Sequence, residues 1–171
     1  GGQYYFSKGS RVTGLETGEG VTYVFEDSGA RGNRGLVQSG GKTYLAENDG
    51  RVFVGWKDKR YCRPEMAVGI HTVDGKQYGF ANDGIVCENG LYAMGDGIYY
   101  FVNTKMQTGY HTIDGKNMYF IESGNDAGKR AKGSVNINGV YMFFNADGER
   151  DQGNGERTVD EKMYYIINGV P

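Results

Sequence analysis

The chain holds only 2 histidines, 2 cysteines, 2 prolines and 1 tryptophan in 171 residues, and each shortage excludes something. The sole imidazoles, His71 and His111, occupy the same place in a duplicated segment, which argues for shared structure, on a strand edge or in packing, rather than catalysis or metal ligation. Cys62 and Cys87 are too few for a small disulfide scaffold and, with two distant histidines, make a poor zinc spacing. Whether they pair or stay reduced is open from sequence. No apolar stretch approaches the roughly 20 residues that cross a bilayer, and the start, Gly1 to Phe6, lacks a basic region followed by an apolar one. Lys and Arg number 19 against 21 Asp and Glu; the net charge of −2 is spread without runs and offers nucleic acid no electrostatic purchase.

Catalytic signatures are equally scarce. There is no Gly-x-Ser-x-Gly elbow, phosphate-binding loop or His-Glu-x-x-His stretch. Asp74, Asp114 and Asp160 are one turn position seen three times, and Asx residues in turns bond local backbone, so they do not read as a glycosidase pair. Gly95-Asp96-Gly97 and Gly124 to Gly128 read as turns rather than calcium loops, and Lys129-Arg130-Ala131-Lys132 as a solvated connector. We expect no catalytic residue, no metal and no cofactor, and hence no enzyme.

Glycine and aromatics are what the chain has in quantity: 30 Gly, about two and a half times average usage, with 14 Tyr and 8 Phe. One segment recurs nearly verbatim, Gly69-Ile-His-Thr-Val-Asp-Gly-Lys76 and Gly109-Tyr-His-Thr-Ile-Asp-Gly-Lys116, with a third copy from Gly155 and a looser one from Gly133. That register places opening glycines at Gly14, Gly35, Gly55, Gly69, Gly90, Gly109, Gly133 and Gly155, spaced 21, 20, 14, 21, 19, 24 and 22 residues apart. Most units then carry a Gly or Asx-Gly turn and an aromatic strand such as Tyr23-Val24-Phe25 or Tyr99-Tyr100-Phe101. Asx-Gly supplies the positive φ of tight hairpin turns, and alternating aromatics suit a half-buried strand. A lone hairpin is marginal in water, so stacked copies are needed to bury the rings. We therefore expect an all-β fold, a solenoid of tandem β-hairpin repeats of about 20 residues, occupying 1–171 as one elongated array and a fragment of a larger secreted protein. The unit near 55–69 lacks an Asp-Gly turn and is expected to be a degenerate hairpin or a bend.

The order Gly-aromatic, Gly, Tyr-Tyr-Phe, a turn, then Met-x-Thr-Gly, best seen from Gly97 to Tyr110, resembles the cell-wall-binding repeat superfamily. That grouping covers choline-binding modules, glucan-binding repeats of glucansucrases and carbohydrate-binding repeats of clostridial toxins. The resemblance implies ligand cages between consecutive hairpins, built from two or three aromatics and a Met, which suit quaternary ammonium. It implies a cage aromatic after each opening glycine. Those positions are Leu15, Leu36, Trp56, Ile70, Leu91, Tyr110, Ser134 and Glu156, so only Trp56 and Tyr110 qualify. The implied ligand-binding residues are Tyr99, Met106, Tyr110 and Tyr119, with a second group at Trp56, Met66 and Tyr78. The expected function is a non-catalytic module attaching a secreted or surface-located bacterial protein to cell-wall choline or glycan. The alternative is a structural spacer or protein-interaction stalk whose aromatics are buried and which binds no small ligand.

Overall fold

A computed structural model describes residues 3–171; Gly1 and Gly2 lie outside the described residues. Among the described residues strands are the only regular elements, paired into small antiparallel sheets. The chain opens with β1 (Phe6–Ser7) and β2 (Ser10–Arg11), then β3 (Gly14–Gly18) with β4 (Val21–Phe25) and β5 (Gly35–Ser39) with β6 (Lys42–Ala46). A shorter hairpin, β7 (Gly55–Lys57) and β8 (Arg60–Cys62), precedes β9 (Gly69–Val73) and β10 (Lys76–Phe80). One three-stranded sheet follows, β11 (Gly90–Met94), β12 (Gly97–Val102) and β13 (Lys105–Met106). The last hairpins are β14 (Gly109–Ile113) with β15 (Lys116–Phe120), β16 (Gly133–Ile137) with β17 (Val140–Phe144), and β18 (Gly155–Val159) with β19 (Lys162–Ile166).

All eight glycines placed from the spacing are first residues of strands, and all have φ between +69° and +116°. Around Gly14, Gly35, Gly69 and Gly90 an added Cβ would meet nothing within 4 Å, so backbone angle rather than crowding demands glycine. Seven of the eight opening glycines face a buried side chain: Gly14 pairs with Phe25, Gly35 with Ala46, Gly55 with Cys62, Gly90 with Phe101, Gly109 with Phe120, Gly133 with Phe144 and Gly155 with Ile166. None of these partners is more than 4% exposed. Most are bridged on their other side by one residue of the following connector: Phe25 by Arg31, Ala46 by Val52, Cys62 by Met66, Phe120 by Arg130 and Phe144 by Arg150. In β13 this bridge widens to two residues, Phe101 pairing with Met106.

Those connectors also tie units together. The Val52 amide donates to the Thr22 carbonyl at 2.9 Å, Met66 to Thr43 at 2.8 Å, Arg130 to Ile98 at 2.7 Å and Arg150 to Asn117 at 2.8 Å, each reaching the preceding hairpin. Apolar side chains then fill the space between neighbours in small clusters, such as Val24, Val37, Tyr44 and Ala46, or Tyr119, Ala131, Ile137 and Phe144. The chain divides into two compact units, one running to His71 and including Phe80–Val86, the other Thr72–Gly79 with Cys87–Pro171. Cys62 and Cys87 are buried free thiols, and burial pushes the Cys62 thiol above its ordinary pKa.

Most turns are two residues long with both φ values positive, as at Asp74-Gly75, Asp114-Gly115 and Asn138-Gly139, the hand that matches strand twist. The unit from Gly55 is a true hairpin, closed by Asp58 (φ 48°) and Lys59 (φ 62°) without glycine. Asp160 and Glu161 close β18–β19 in the same way.

Two stability outcomes follow from this backbone. A left-handed conformation costs an L residue about 1–2 kcal/mol, and glycine returns about 0.5–1 kcal/mol of that as unfolded-chain entropy. Glu161→Gly (φ 63°) is therefore expected to raise the calorimetric Tm by a few degrees; a lower Tm would mean the Glu161 side chain contributes more than its backbone costs. In contrast, a Cβ at Gly79 would fall 2.3 Å from Cζ of buried Phe101. Gly79→Ala should cost about 1–3 kcal/mol in urea unfolding.

Candidate functional site

Side chains alternate across a strand, so the position after an opening glycine lies on the face opposite the glycine's buried partner, half-buried at Leu15, Ile70 and Ser134. Leu36, Trp56, Leu91 and Tyr110 hold that position and are all well exposed, Trp56 at 41% and Tyr110 at 49%. Their cross-strand partners decide what the surface can do. Trp56 faces Tyr61 and Tyr110 faces Tyr119, whereas Leu36 faces Leu45 and Glu156 faces Tyr165. Only the first two pairs put two aromatic rings together.

At the second, the Tyr110 and Tyr119 ring centroids are 4.8 Å apart at 57°. Tyr119 is buried and stacks on Phe144 of the next hairpin, 6.2 Å away at 28°. The Tyr110 hydroxyl donates to the Met142 thioether, 2.7 Å away, and the Tyr119 hydroxyl to Glu122 Oε2 at 3.0 Å. One exposed ring thus stands on a buried ring with a sulfur at its tip, held from below by hydrogen bonding. Tyr110 also borders a shallow pocket of about 330 Å³ with His111, Asn117 and Arg150.

The thioether beside Tyr110 is that of Met142. Sequence gave no signal for it beyond its place in Tyr141-Met142-Phe143-Phe144, because the contact joins two repeats 32 residues apart. Met106 instead packs over Gly128, where a Cβ would sit 2.4 Å from its sulfur, and lines a cleft with Tyr78. Tyr99 is 8% exposed and packs beside Gly97 and Lys129. Met66 is interior, clustered with Leu45 and Cys62. Trp56 lies 5.4 Å from Tyr61 and 5.6 Å from Phe80.

Both histidines sit against aromatic rings. His111 is 5.3 Å from Tyr100 and 5.9 Å from Phe120, and its Nε2 donates to the Thr108 carbonyl at 3.0 Å. His71 is 6.0 Å from Phe80, with Nε2 2.9 Å from the Val68 carbonyl. The basic connector is largely neutralised: Lys129 contacts Asp96 at 2.9 Å and Asp126 at 2.8 Å, and Lys132 contacts Asp160 at 2.6 Å. The hydrogen bonds that Lys129 donates to those two carboxylates hold its ammonium above its ordinary pKa. Among the described residues no group of His, Cys, Asp and Glu is placed to hold a metal ion, and no helix is long and apolar enough to cross a membrane.

No protein-family profile and no curated protein sequence matches the chain. Solved structures do. Choline binding protein F from Streptococcus pneumoniae, in one crystal form, is 25% identical with a TM-score of 0.50 over 89% of this chain and 55% of that one. The same protein in the presence of a tetrasaccharide-pentapeptide peptidoglycan analogue gives 23% and 0.52, over 98% and 60%. A modular autolysin from the same organism gives 18% and 0.44, over 88% and 42%. This chain spans a little over half the length of the first two. The resemblance to choline-binding-type repeats that Gly97 to Tyr110 carries in sequence therefore extends to the folded chain, as an all-β series of hairpins.

Desolvation, then the Glu122 carboxylate, raises the Tyr119 phenol above its ordinary value of 10.0. A raised phenol favours the folded state while it is protonated, so its stabilisation is complete below about pH 10 and is lost as pH rises through the folded value. Phenolate absorbance is expected to show Tyr119 ionising late, and Tyr119→Phe should remove a late-titrating tyrosine; loss of an early one would contradict this placement.

Proposed function

We propose that the array is a non-catalytic binding module that attaches a secreted or cell-surface protein to cell-wall or extracellular glycan, and that a choline-type ammonium group binds at Tyr110. The carrying observation is the exposed Tyr110 ring braced on buried Tyr119, with the Met142 sulfur at its hydroxyl. Aromatic faces attract alkylammonium groups, by about 0.5–1 kcal/mol where exposed and about 2 kcal/mol where desolvated. Likeness to a protein named for choline binding supports this ligand class. The Trp56–Tyr61 pair offers a second face of the same type. Weak sites of this kind act through their number, since a wall polymer presents many copies of its ligand.

A spacer reading draws on different residues. Tyr99 and Met66 are interior, and the outward position carries Ser134 and Glu156 in two units. Calorimetric titration with choline separates the two. Binding in the millimolar range is expected, weakened at least tenfold by Tyr110→Ala and unchanged by Tyr165→Ala, whose ring is exposed at 65% opposite Glu156. No heat with choline, glucans or cell-wall preparations would favour the spacer.

A further inference from the structure

A second cleft in the Thr72–Gly79 and Cys87–Pro171 unit is lined by different chemistry. It encloses about 570 Å³, within the usual range for small-molecule sites. One wall comes from β10, with Lys76, Gln77 and Tyr78; the other comes from the turn into β13 and β13 itself, with Thr104, Lys105 and Met106. Thr108 and Glu122 complete the rim.

Two features set this cleft apart from the Tyr110 surface. Its aromatic content is one ring, Tyr78, backed by the Met106 thioether, so it has a single apolar face rather than a cage. Two lysines, Lys76 and Lys105, also line it, both exposed and neither ion-paired among the described residues. By contrast, carboxylates neutralise Lys42, Lys57, Lys129 and Lys132. The one carboxylate on the rim, Glu122, already accepts the Tyr119 hydroxyl through Oε2. A quaternary ammonium would be repelled here. A neutral sugar would leave both lysines without a partner.

We propose that this cleft binds an acidic saccharide unit, a sugar ring carrying a carboxylate or phosphate. The ring lies on Tyr78, its hydroxyls meet Gln77, Thr104, Thr108 and Glu122, and its anionic group takes Lys76 and Lys105. This assignment extends the glycan-attachment reading to a second ligand chemistry and is independent of any ammonium group at Tyr110.

The test is an NMR titration of the full chain with tetragalacturonic acid, glucose 6-phosphate and maltotetraose. Tetragalacturonic acid or glucose 6-phosphate is expected to shift the amides of Gln77, Lys105 and Thr108, and the responding probe identifies the anion as carboxylate or phosphate. Its affinity should exceed that of maltotetraose at least tenfold and fall as salt is raised. The double variant Lys76→Gln, Lys105→Gln should weaken it at least fivefold while leaving Tm and the choline titration unchanged. Tyr110→Ala should leave the acidic probe unaffected, so failure of one site is distinguishable from failure of the other. Equal binding of maltotetraose, no response at these amides to either anion, or a double variant that binds undiminished would overturn the proposal.

Discussion

Everything in this chain hangs on a pairing between a glycine with positive φ and a buried side chain across the hairpin, as between Gly109 and Phe120 or Gly133 and Phe144. Such hairpins are too small to keep a core of their own, and the buried residue is where three segments meet: the opening glycine, its own strand, and the connector bridge. Once that residue is turned inward, strand alternation puts the position after the glycine on the opposite face, where it is exposed at Leu36, Trp56, Leu91 and Tyr110 while cross-strand partners such as Leu45 and Tyr119 are buried. Both faces of a hairpin are thus set by one register, and a one-residue slip would move every side chain to the other face.

This coupling explains which parts of the molecule are legible in sequence. Glycine with positive φ and Asx-Gly turns have few conformational alternatives, so spacing alone locates the first residue of eight strands, Gly14 through Gly155. Contacts between repeats are not local and left weaker traces. Met142 reaches Tyr110 across 32 residues, and no periodicity announces it. Met106 stands in the Met-x-Thr-Gly pattern, yet its sulfur lies against Gly128, 22 residues along the chain. Asp58-Lys59 lacks the glycine that would mark it, although its backbone follows the same turn. Tyr99, at the second residue after Gly97, faces inward for the reason that Tyr110, one residue after Gly109, faces outward.

The surface that results is chemically uneven. Outward positions hold an exposed ring at Trp56 and Tyr110, aliphatic side chains at Leu36 and Leu91, and polar ones at Ser134 and Glu156. At Tyr110 aromatic faces dominate; at the Tyr78 cleft ammonium groups do. Under the two proposed assignments, a polymer that carries both cationic and anionic substituents would engage these surfaces at different repeats.

The joins between hairpins have a consequence of their own. Val52, Met66, Arg130 and Arg150 reach the preceding unit through backbone amides, a group that every residue except proline possesses. Pro64 and Pro171 occupy none of these positions. The hydrogen-bonded part of each seam is thus blind to side-chain identity, and the choice of neighbour rests on the apolar clusters between hairpins, such as Tyr119, Ala131, Ile137 and Phe144, leaving the outward residues free to diversify without loosening the fabric.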